Sequence, residues 1–284
     1  MALRPAGIPG YLNLREHLAV LVGLFLLGAT SILSSSCGRS SAEKSITIAG
    51  STSVQPFADR WAEVYMKKHH GLSINVQGGG SSAGIQAAKS GAAHIGMSSR
   101  DLRPEEKGLL EVIVAWDGLA IIVHPTNPVD ELSIVQIQNI FAGNIRSWAL
   151  VGGPDKEIHV VTREEGSGTR GAFLEMVMGR MRISKRAIVQ DSNGTVREIV
   201  ANDPFSIGYI SLGLVNERVK AVRLDGVEAS VENIEDKKYR LVRPFLFVTS
   251  GPPGPGVRDF LNFVLSREGQ ELIEEEGLIP VYKE

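Results

Sequence analysis

The chain is 284 residues long, carries a formal net charge of −2 and contains one cysteine. Its length and its hydrophobic fraction of 43% allow a large core, in one domain or in two lobes. The near-zero charge provides no basic field of the kind that binds nucleic acid, so no nucleic-acid partner is expected. The single cysteine excludes an internal disulfide framework and a cysteine-based zinc cluster.

Residues 1–37 have the features of a secretory signal peptide. Basic residues precede the apolar segment 18–33, and small residues follow it up to the single cysteine, Cys37. About 16 apolar residues are fewer than the roughly 20 of a membrane-spanning helix. The segment end resembles a bacterial lipobox, although Leu33 stands one position too far from the cysteine. We therefore expect Cys37 to be lipidated and to tether the protein outside the cytoplasm. An uncleaved N-terminal anchor is the alternative.

From residue 45, short apolar strands alternate with helical patterns. The first elements are strand 45–49, helix 54–70, strand 72–77, a short helix to about Lys89, and strand 93–97. This βαβαβ order predicts an α/β fold with a parallel sheet that binds ligands outside the carboxyl ends of its strands.

The rest of the chain continues the alternation. The apolar run 109–123 is predicted to form two strands joined by a turn at 116–118. The later elements are helix 133–141, strand 157–161, helix 171–178, helix 195–202, strand 207–211, strand 245–249 and helix 257–276. The last helix is expected to pack on the first lobe, so the chain would cross between two lobes twice.

Three hydroxyl-rich turns each follow a strand and open a helix, namely 50–53 (GSTS), 78–84 (GGGSSAG) and 162–170 (TREEGSGTR). The free N–H groups and the dipole of a helix start favour an anion. Arg163 adds a planar fork of donors that suits a tetrahedral oxyanion. The pattern predicts that the three turns converge on one anion, and ordinary surface turns are the alternative. A weaker version of the pattern occurs at 189–194.

Other chemistries find less support in the motifs. The turn 78–84 has neither G-x-G-x-x-G spacing nor a P-loop lysine, so no nucleotide cofactor is expected. A hydrolase with Ser167 as its nucleophile would need a G-x-S-x-G elbow, which the loop lacks, and no histidine forms a partner motif. The adjacent His69 and His70 have no third ligand nearby, so no metal is expected either.

Six motifs follow one another between about residue 45 and the C-terminus, in the order GSTS, QGGGSSAGI, IGMSSRDL, AWDGLAIIVHP, REEGSGTR and ENIEDKKYRLVRPFLF. As an ordered set they resemble the phosphate-binding protein of the bacterial ABC-type phosphate transporter. The resemblance implies a protein that is not an enzyme. It implies a monomer that binds inorganic phosphate between two lobes and delivers it to transmembrane permease subunits.

The resemblance also implies the architecture. This is the two-lobe periplasmic-binding-protein fold of type II, in which each lobe is a mostly parallel sheet flanked by helices and two strands form the hinge. The expected division is a signal peptide at 1–37, a linker at 38–44, lobe I at 45–120 and 245–284, and lobe II at 121–244.

The resemblance implies roles for particular side chains. Glu165 matches an acidic residue that pairs with the arginine of the 162–170 loop. The positions that match phosphate donors of the family are Thr52, Ser53, Ser81, Arg163, Ser167, Gly168 and Thr169.

One position departs from the family pattern. Better-known members have an aspartate that accepts the proton of hydrogen phosphate and so rejects sulfate, and here Ser99 followed by Arg100 occupies that place. Both residues are therefore candidate ligands, with Arg100 as a second cation. The proton would then go to a hydroxyl or to Asp101, Asp117 or Glu165. Weaker discrimination against sulfate is the alternative. Because of the same departure, a binding protein for another oxyanion, such as sulfate, molybdate or tungstate, stays open as a second function.

Replacement of the single cysteine tests the predicted lipid anchor. We expect Cys37→Ala to release the protein from membranes or to block its maturation, because no other thiol is available for lipidation. Membrane fractionation and labelling with a radioactive fatty acid would detect either effect. Unchanged membrane association without incorporated acyl chain would contradict lipidation.

Overall fold

The computed structural model describes residues 44–281, and the predicted signal peptide with Cys37 lies outside them. The strands are β1 (Lys44–Gly50), β2 (Leu72–Gly78), β3 (Ile95–Ser98), β4 (Leu110–Val123), β5 (Glu131–Leu132), β6 (His159–Arg163), β7 (Ile188–Gln190), β8 (Ser206–Ser211), β9 (Lys220–Ala221), β10 (Arg223–Leu224) and β11 (Val242–Thr249). The helices are α1 (Gln55–Lys68), α2 (Ser81–Ser90), α3 (Ile134–Ala142), α4 (Gly168–Phe173), α5 (Asn193–Asn202), α6 (Val231–Glu235), α7 (Pro255–Val264) and α8 (Arg267–Glu274).

The main sheet is parallel toward both ends and antiparallel in the middle. Its strand order is β2-β1-β3-β11-β4-β8-β6-β7, with β9 paired to β4 and a separate small sheet of β5 and β10. β1 pairs in parallel with β2 and β3, and β6 pairs in parallel with β7 and β8. The antiparallel strands β4 and β11 lie between these two groups. The predicted α/β architecture, with two strands that connect two mostly parallel halves, is confirmed.

Two hydrophobic cores lie in the two halves. The first packs α1, α7 and α8 on β1 and β3, and in it Trp61 meets Phe247 edge to face at 5.7 Å between ring centroids. The second packs α3, α4 and α5 on β6 and β8, and in it Phe173 stacks on Tyr209 at 4.1 Å. β4 contributes Ala115 to the first core and residues 119–123 to the second, so this strand runs through both.

Two sequence predictions about these elements are wrong. The run 109–123 forms one strand and not two, because the Asp117 side chain that indicated a turn is paired inside the sheet with Arg243 of β11. The final helix 257–276 is two helices, because Ser266 caps a new start by accepting a hydrogen bond from Gly269 N at 3.2 Å. Among residues 44–281, no helix is long and apolar enough to span a bilayer.

A close approach between α2 and β1 depends on a glycine. A Cβ on Gly84 would overlap Ala49 O and Gly50 Cα, so the helix reaches the strand backbone only without a side chain there. We expect Gly84→Ala to lower the free energy of unfolding by about 1–3 kcal/mol through overpacking. Urea unfolding followed by circular dichroism measures the change.

The matched control is Gly256→Ala, which also lies in a helix but has open space around the added Cβ. Alanine is the better helix former, so this variant should be neutral or more stable by up to about 1 kcal/mol. Equal destabilisation of both variants would contradict the packing argument.

Candidate functional site

Four helices begin at one side of the sheet, where strands end. α1, α2, α4 and α5 follow β1, β2, β6 and β7 respectively, and three of these starts are the hydroxyl-rich turns predicted from the sequence. The N-caps of α1 and α2, Val54 and Gly80, make no side-chain capping hydrogen bond. The positive ends of four helices therefore face the region where these turns meet, which favours an anion.

Side chains from these turns are in direct contact across the two halves of the molecule. The Ser53 and Thr169 hydroxyl oxygens lie 2.6 Å apart, and Asn193 Nδ2 donates to Ser53 Oγ at 2.7 Å. Ser82 N donates to Gly166 O at 3.1 Å, which joins the backbones of the second and third turns, 78–84 and 162–170. The predicted convergence of separate turns is thus present in the structure.

Three serines of the first half form a linked group. Ser51 Oγ donates to Ser99 Oγ at 2.9 Å, and Ser99 N donates to Ser81 Oγ at 3.1 Å. With Ser53 and Thr169, they are all buried, and we call these five residues the hydroxyl cluster. A Cβ on Gly168 would overlap the Ser81 hydroxyl, so a glycine is required where α4 meets this cluster.

Arg163 ends β6 and is almost completely buried. Its Nη2 donates to Thr52 Oγ1 at 3.0 Å and to Asp191 O at 2.9 Å, and its Nε donates to Gln190 O at 3.2 Å. Within the described residues its Nη1 has no hydrogen-bond partner. A buried cationic N–H without an acceptor is costly, so this nitrogen is suited to an anionic ligand.

The acidic partner of Arg163 is Glu164, whereas the resemblance to the family implied Glu165. Glu164 accepts from Arg163 Nε at 2.9 Å and from Nη2 at 3.0 Å. Glu165 is exposed and forms no ion pair within the described part of the chain. The turn after β6 directs it to solvent, whereas the Arg163 side chain lies along its immediate neighbour.

Ser167 and Gly168 determine where the helix of the third turn begins. Ser167 Oγ accepts from Arg170 N at 3.2 Å as an N-cap, so α4 starts at Gly168 and not near Gly171 as predicted. Ser167 is buried, as is Thr169 of the hydroxyl cluster. The earlier start puts the N-terminal end of α4, with Gly168 and Thr169, against the cluster.

The two terminal nitrogens of Arg100 are occupied elsewhere. Its Nη1 and Nη2 donate to the two carboxylate oxygens of Glu106 at 2.7 and 2.8 Å, and Nη2 also contacts Ser82 Oγ at 3.3 Å. Glu106 therefore neutralises the predicted second cation of the site. The contact with Ser82 gives Arg100 a supporting position beside the start of α2.

The three carboxylates that were candidates for a ligand proton are not free in the site. Asp101 and Glu165 are exposed. Asp117 is completely buried, accepts from Ser211 Oγ at 2.7 Å and pairs with Arg243. Burial raises the pKa of the Asp117 carboxyl, and Arg243 and Ser211 oppose that shift. None of these three carboxylates is therefore free to accept the proton of a ligand at the hydroxyl cluster.

Sequence reasoning missed three residues of this region. Ser51 stands inside the first predicted turn, and Asn193 opens the helix of the weaker fourth turn, so both had a local signal. Arg243 stands inside the last of the six motifs, but nothing in its local sequence indicated a role near the site. Its role depends on Asp117, which lies 126 positions away in the chain.

The fold and the buried donors define a solute-binding protein of the periplasmic-binding-protein class. A family model for a PBP superfamily domain matches residues 36–268. The phosphate-binding protein PstS of Bacillus subtilis is 31% identical to the chain over 92% of the chain and 94% of its own length. PstS of Borreliella burgdorferi is 30% identical over 92% of the chain and 98% of its own length. The chain belongs to the PstS family of phosphate-binding proteins.

Solved structures agree with this assignment. A putative phosphate ABC transporter substrate-binding protein with bound phosphate from Clostridium perfringens is 43% identical, with a TM-score of 0.81 over 84% of this chain and 100% of that chain. An ABC-type phosphate transport receptor from Vibrio cholerae is 38% identical, with a TM-score of 0.71 over 82% of this chain and 99% of that chain. The two-lobe fold expected from the sequence is therefore confirmed.

The Arg100–Glu106 pair is expected to make the free energy of unfolding depend on pH in the acid range. Hydrogen bonds from Arg100 hold the pKa of the Glu106 carboxyl below its ordinary value, although partial burial opposes them. The pair therefore stabilises the protein at neutral pH, and this stabilisation is lost as the pH falls below about 4.5. We expect Glu106→Gln to lower the free energy of unfolding at pH 7 by about 1–3 kcal/mol.

Urea unfolding at pH 7 and at pH 3 checks this expectation. At the lower pH, the free energies of unfolding of the variant and of the unaltered protein should become equal. Glu63→Gln is the control, since Glu63 forms only an exposed pair with Lys67 on α1. An equal loss of unfolding free energy in Glu106→Gln at both pH values would show that ionisation of Glu106 is not the cause of the destabilisation.

Proposed function

We propose that the protein captures inorganic phosphate outside the cytoplasm and delivers it to the membrane permease of an ABC transporter. The observation that carries the proposal is the buried, unpartnered Nη1 of Arg163 among four helix starts. Family membership supports the same conclusion, because the relatives are named as phosphate-binding proteins and one solved neighbour contains bound phosphate.

A divalent anion that enters a buried site loses its hydration, so each of its oxygens needs donors from the protein. The proposed donors are Thr52, Ser53, Ser81, Ser99, Arg163, Ser167, Gly168 and Thr169. At roughly 1.5–3 kcal/mol for each charge-assisted hydrogen bond, they exceed the ~8 kcal/mol of micromolar affinity. The surplus offsets the free energy of ordering and closing the protein, and no metal or cofactor is required.

The donors come from both halves of the molecule, which links binding to shape. Ser53 and Ser99 extend from the half that contains β1 and β3, whereas Arg163 and Thr169 extend from the half that contains β6. A ligand that contacts both groups stabilises the closed arrangement more than any open one. We propose that the permease recognises this closed form.

Each remaining residue of the site has a supporting role in this proposal. Glu164 orients the Arg163 guanidinium, and Arg100 with Glu106 holds the start of α2. We assign lobe I to 45–120 and 245–284 and lobe II to 121–244, with a hinge in β4 and β11. The protein would act as a monomer and be tethered to the membrane through Cys37.

Another tetrahedral oxyanion, such as sulfate, molybdate or tungstate, is the second candidate. The observation in its favour is that Asp101, Asp117 and Glu165 are either exposed or already paired, so none of these three is free to accept the proton of hydrogen phosphate. The names of the relatives favour phosphate. A thermal-shift panel with phosphate, sulfate, arsenate and molybdate separates the two, because a ligand that binds the native state raises the unfolding temperature.

Removal of the arginine tests the site directly. We expect Arg163→Ala to weaken phosphate binding by about tenfold or more, because the variant loses the charged donors and leaves Glu164 next to the anion. Isothermal titration calorimetry measures the affinity, and circular dichroism without phosphate verifies the fold.

The control is Arg182→Ala, which removes an exposed arginine, whereas Arg163 is buried. It should bind phosphate as the unaltered protein does. Unchanged affinity in Arg163→Ala would remove the third turn from the site, and a thermal response to sulfate alone would overturn phosphate as the ligand.

A further inference from the structure

A buried ion pair lies where the central strand changes partners. Asp117 on β4 faces Arg243 on β11, with Arg243 Nε donating to Asp117 Oδ2 at 2.9 Å and Nη2 at 2.8 Å from the same oxygen. Both side chains are buried. β4 pairs with β11 up to Gly118 and with β8 from Leu119 onward. The pair therefore joins the two strands that connect the two cores.

Stability alone is a weak reason for such a pair. The desolvation of two charges offsets much of their attraction, and a well-packed apolar pair of similar volume is often as stable or more stable. The additional contacts of the two side chains are therefore the informative feature.

One contact leads into the hydroxyl cluster from the side of β3. Arg243 Nη1 donates to Ser99 O at 3.3 Å. The Ser99 hydroxyl accepts from Ser51 Oγ, and its N–H donates to Ser81 Oγ. Arg243 thus fixes the main chain of the residue that links the serines of the first half.

The other contact leads into the cluster through β8. Ser211 Oγ donates to Asp117 Oδ1 at 2.7 Å, and Ser211 N donates to Asn193 Oδ1 at 3.3 Å. Because the backbone N–H holds the amide oxygen of Asn193, its nitrogen is directed to Ser53 Oγ at 2.7 Å. The Ser53 hydroxyl is in turn 2.6 Å from Thr169 Oγ1.

The ion pair also affects the charge of the site. Burial lowers the pKa of the Arg243 guanidinium, Asp117 opposes this shift, and the nearby positive charge of Arg163 lowers the pKa further. The positive charges of the two guanidinium groups therefore repel each other. An anion bound at Arg163 reduces that repulsion.

We propose that Asp117 and Arg243 are positioning residues of the anion site, which hold Ser99 and Asn193 in the orientation that the ligand requires and tie this orientation to the pairing of β4 with β11. The inference rests on the proposed function, since it concerns the same site. It adds two residues that do not touch the ligand and act through Ser99, Ser211 and Asn193.

Two ion-pair variants and one control separate positioning from stability. D117L/R243M replaces the charges with apolar side chains, so the unfolding temperature should be close to that of the unaltered protein. Phosphate affinity should nevertheless fall by about tenfold or more, because Ser99 O and Ser211 Oγ lose their partners. R243K keeps the charge next to Asp117 and loses the fork that reaches Ser99, so it should also bind phosphate more weakly.

The control is Y239F. The buried Tyr239 hydroxyl donates to Leu119 O at 2.8 Å, and Leu119 lies on β4, the strand of Asp117. Within residues 44–281, Tyr239 has no hydrogen bond to the hydroxyl cluster. This variant should lower the unfolding temperature and leave the dissociation constant for phosphate unchanged, as measured by calorimetry.

The outcomes distinguish the two proposals. Absence of phosphate binding by the unaltered protein would contradict the proposed function and this inference with it. Normal binding by the unaltered protein, D117L/R243M and R243K would overturn the positioning role alone. Failure of both ion-pair variants to fold would assign the pair to stability and would also overturn that role.

Discussion

The free energy of dehydrating a small anion is the constraint on which this structure depends. A dianion leaves water only if donors surround it, and the molecule supplies them from helix starts, hydroxyls and one arginine. These groups lie on two halves of the molecule, each with its own hydrophobic core. They can therefore surround a ligand only when the two halves meet. Ligand recognition and a change in molecular shape are therefore the same event in this proposal.

The fold serves this arrangement through a few strands and one glycine. β4 and β11 run between the two cores and so connect the two halves. Gly168 brings the start of α4 against Ser81 and Ser99. The buried pair of Asp117 and Arg243 lies at the point where these strands separate, and it has contacts toward both sides of the site.

Local chemistry in the sequence was enough to predict the hydroxyl-rich turns, because strand, turn and helix start are contiguous there. The partners of the site were not predictable, because the Asn193–Ser53 and Arg243–Ser99 hydrogen bonds join residues 140 and 144 positions apart. The continuous strand β4 was not predictable either. The buried Asp117 carboxylate is paired there with Arg243, which lies far away in the sequence. The helix break at Ser266 was a local capping signal that the apolar periodicity obscured.

The central claim is that one tetrahedral anion binds between the two groups of donors. Arsenate has the shape and charge of phosphate, and its arsenic atom gives an anomalous diffraction signal. A crystal grown with arsenate should contain an anomalous peak within hydrogen-bond distance of Arg163 Nη1 and of hydroxyls from both halves, such as Ser81 and Thr169. A well-occupied peak elsewhere, with none among these residues, would contradict the account.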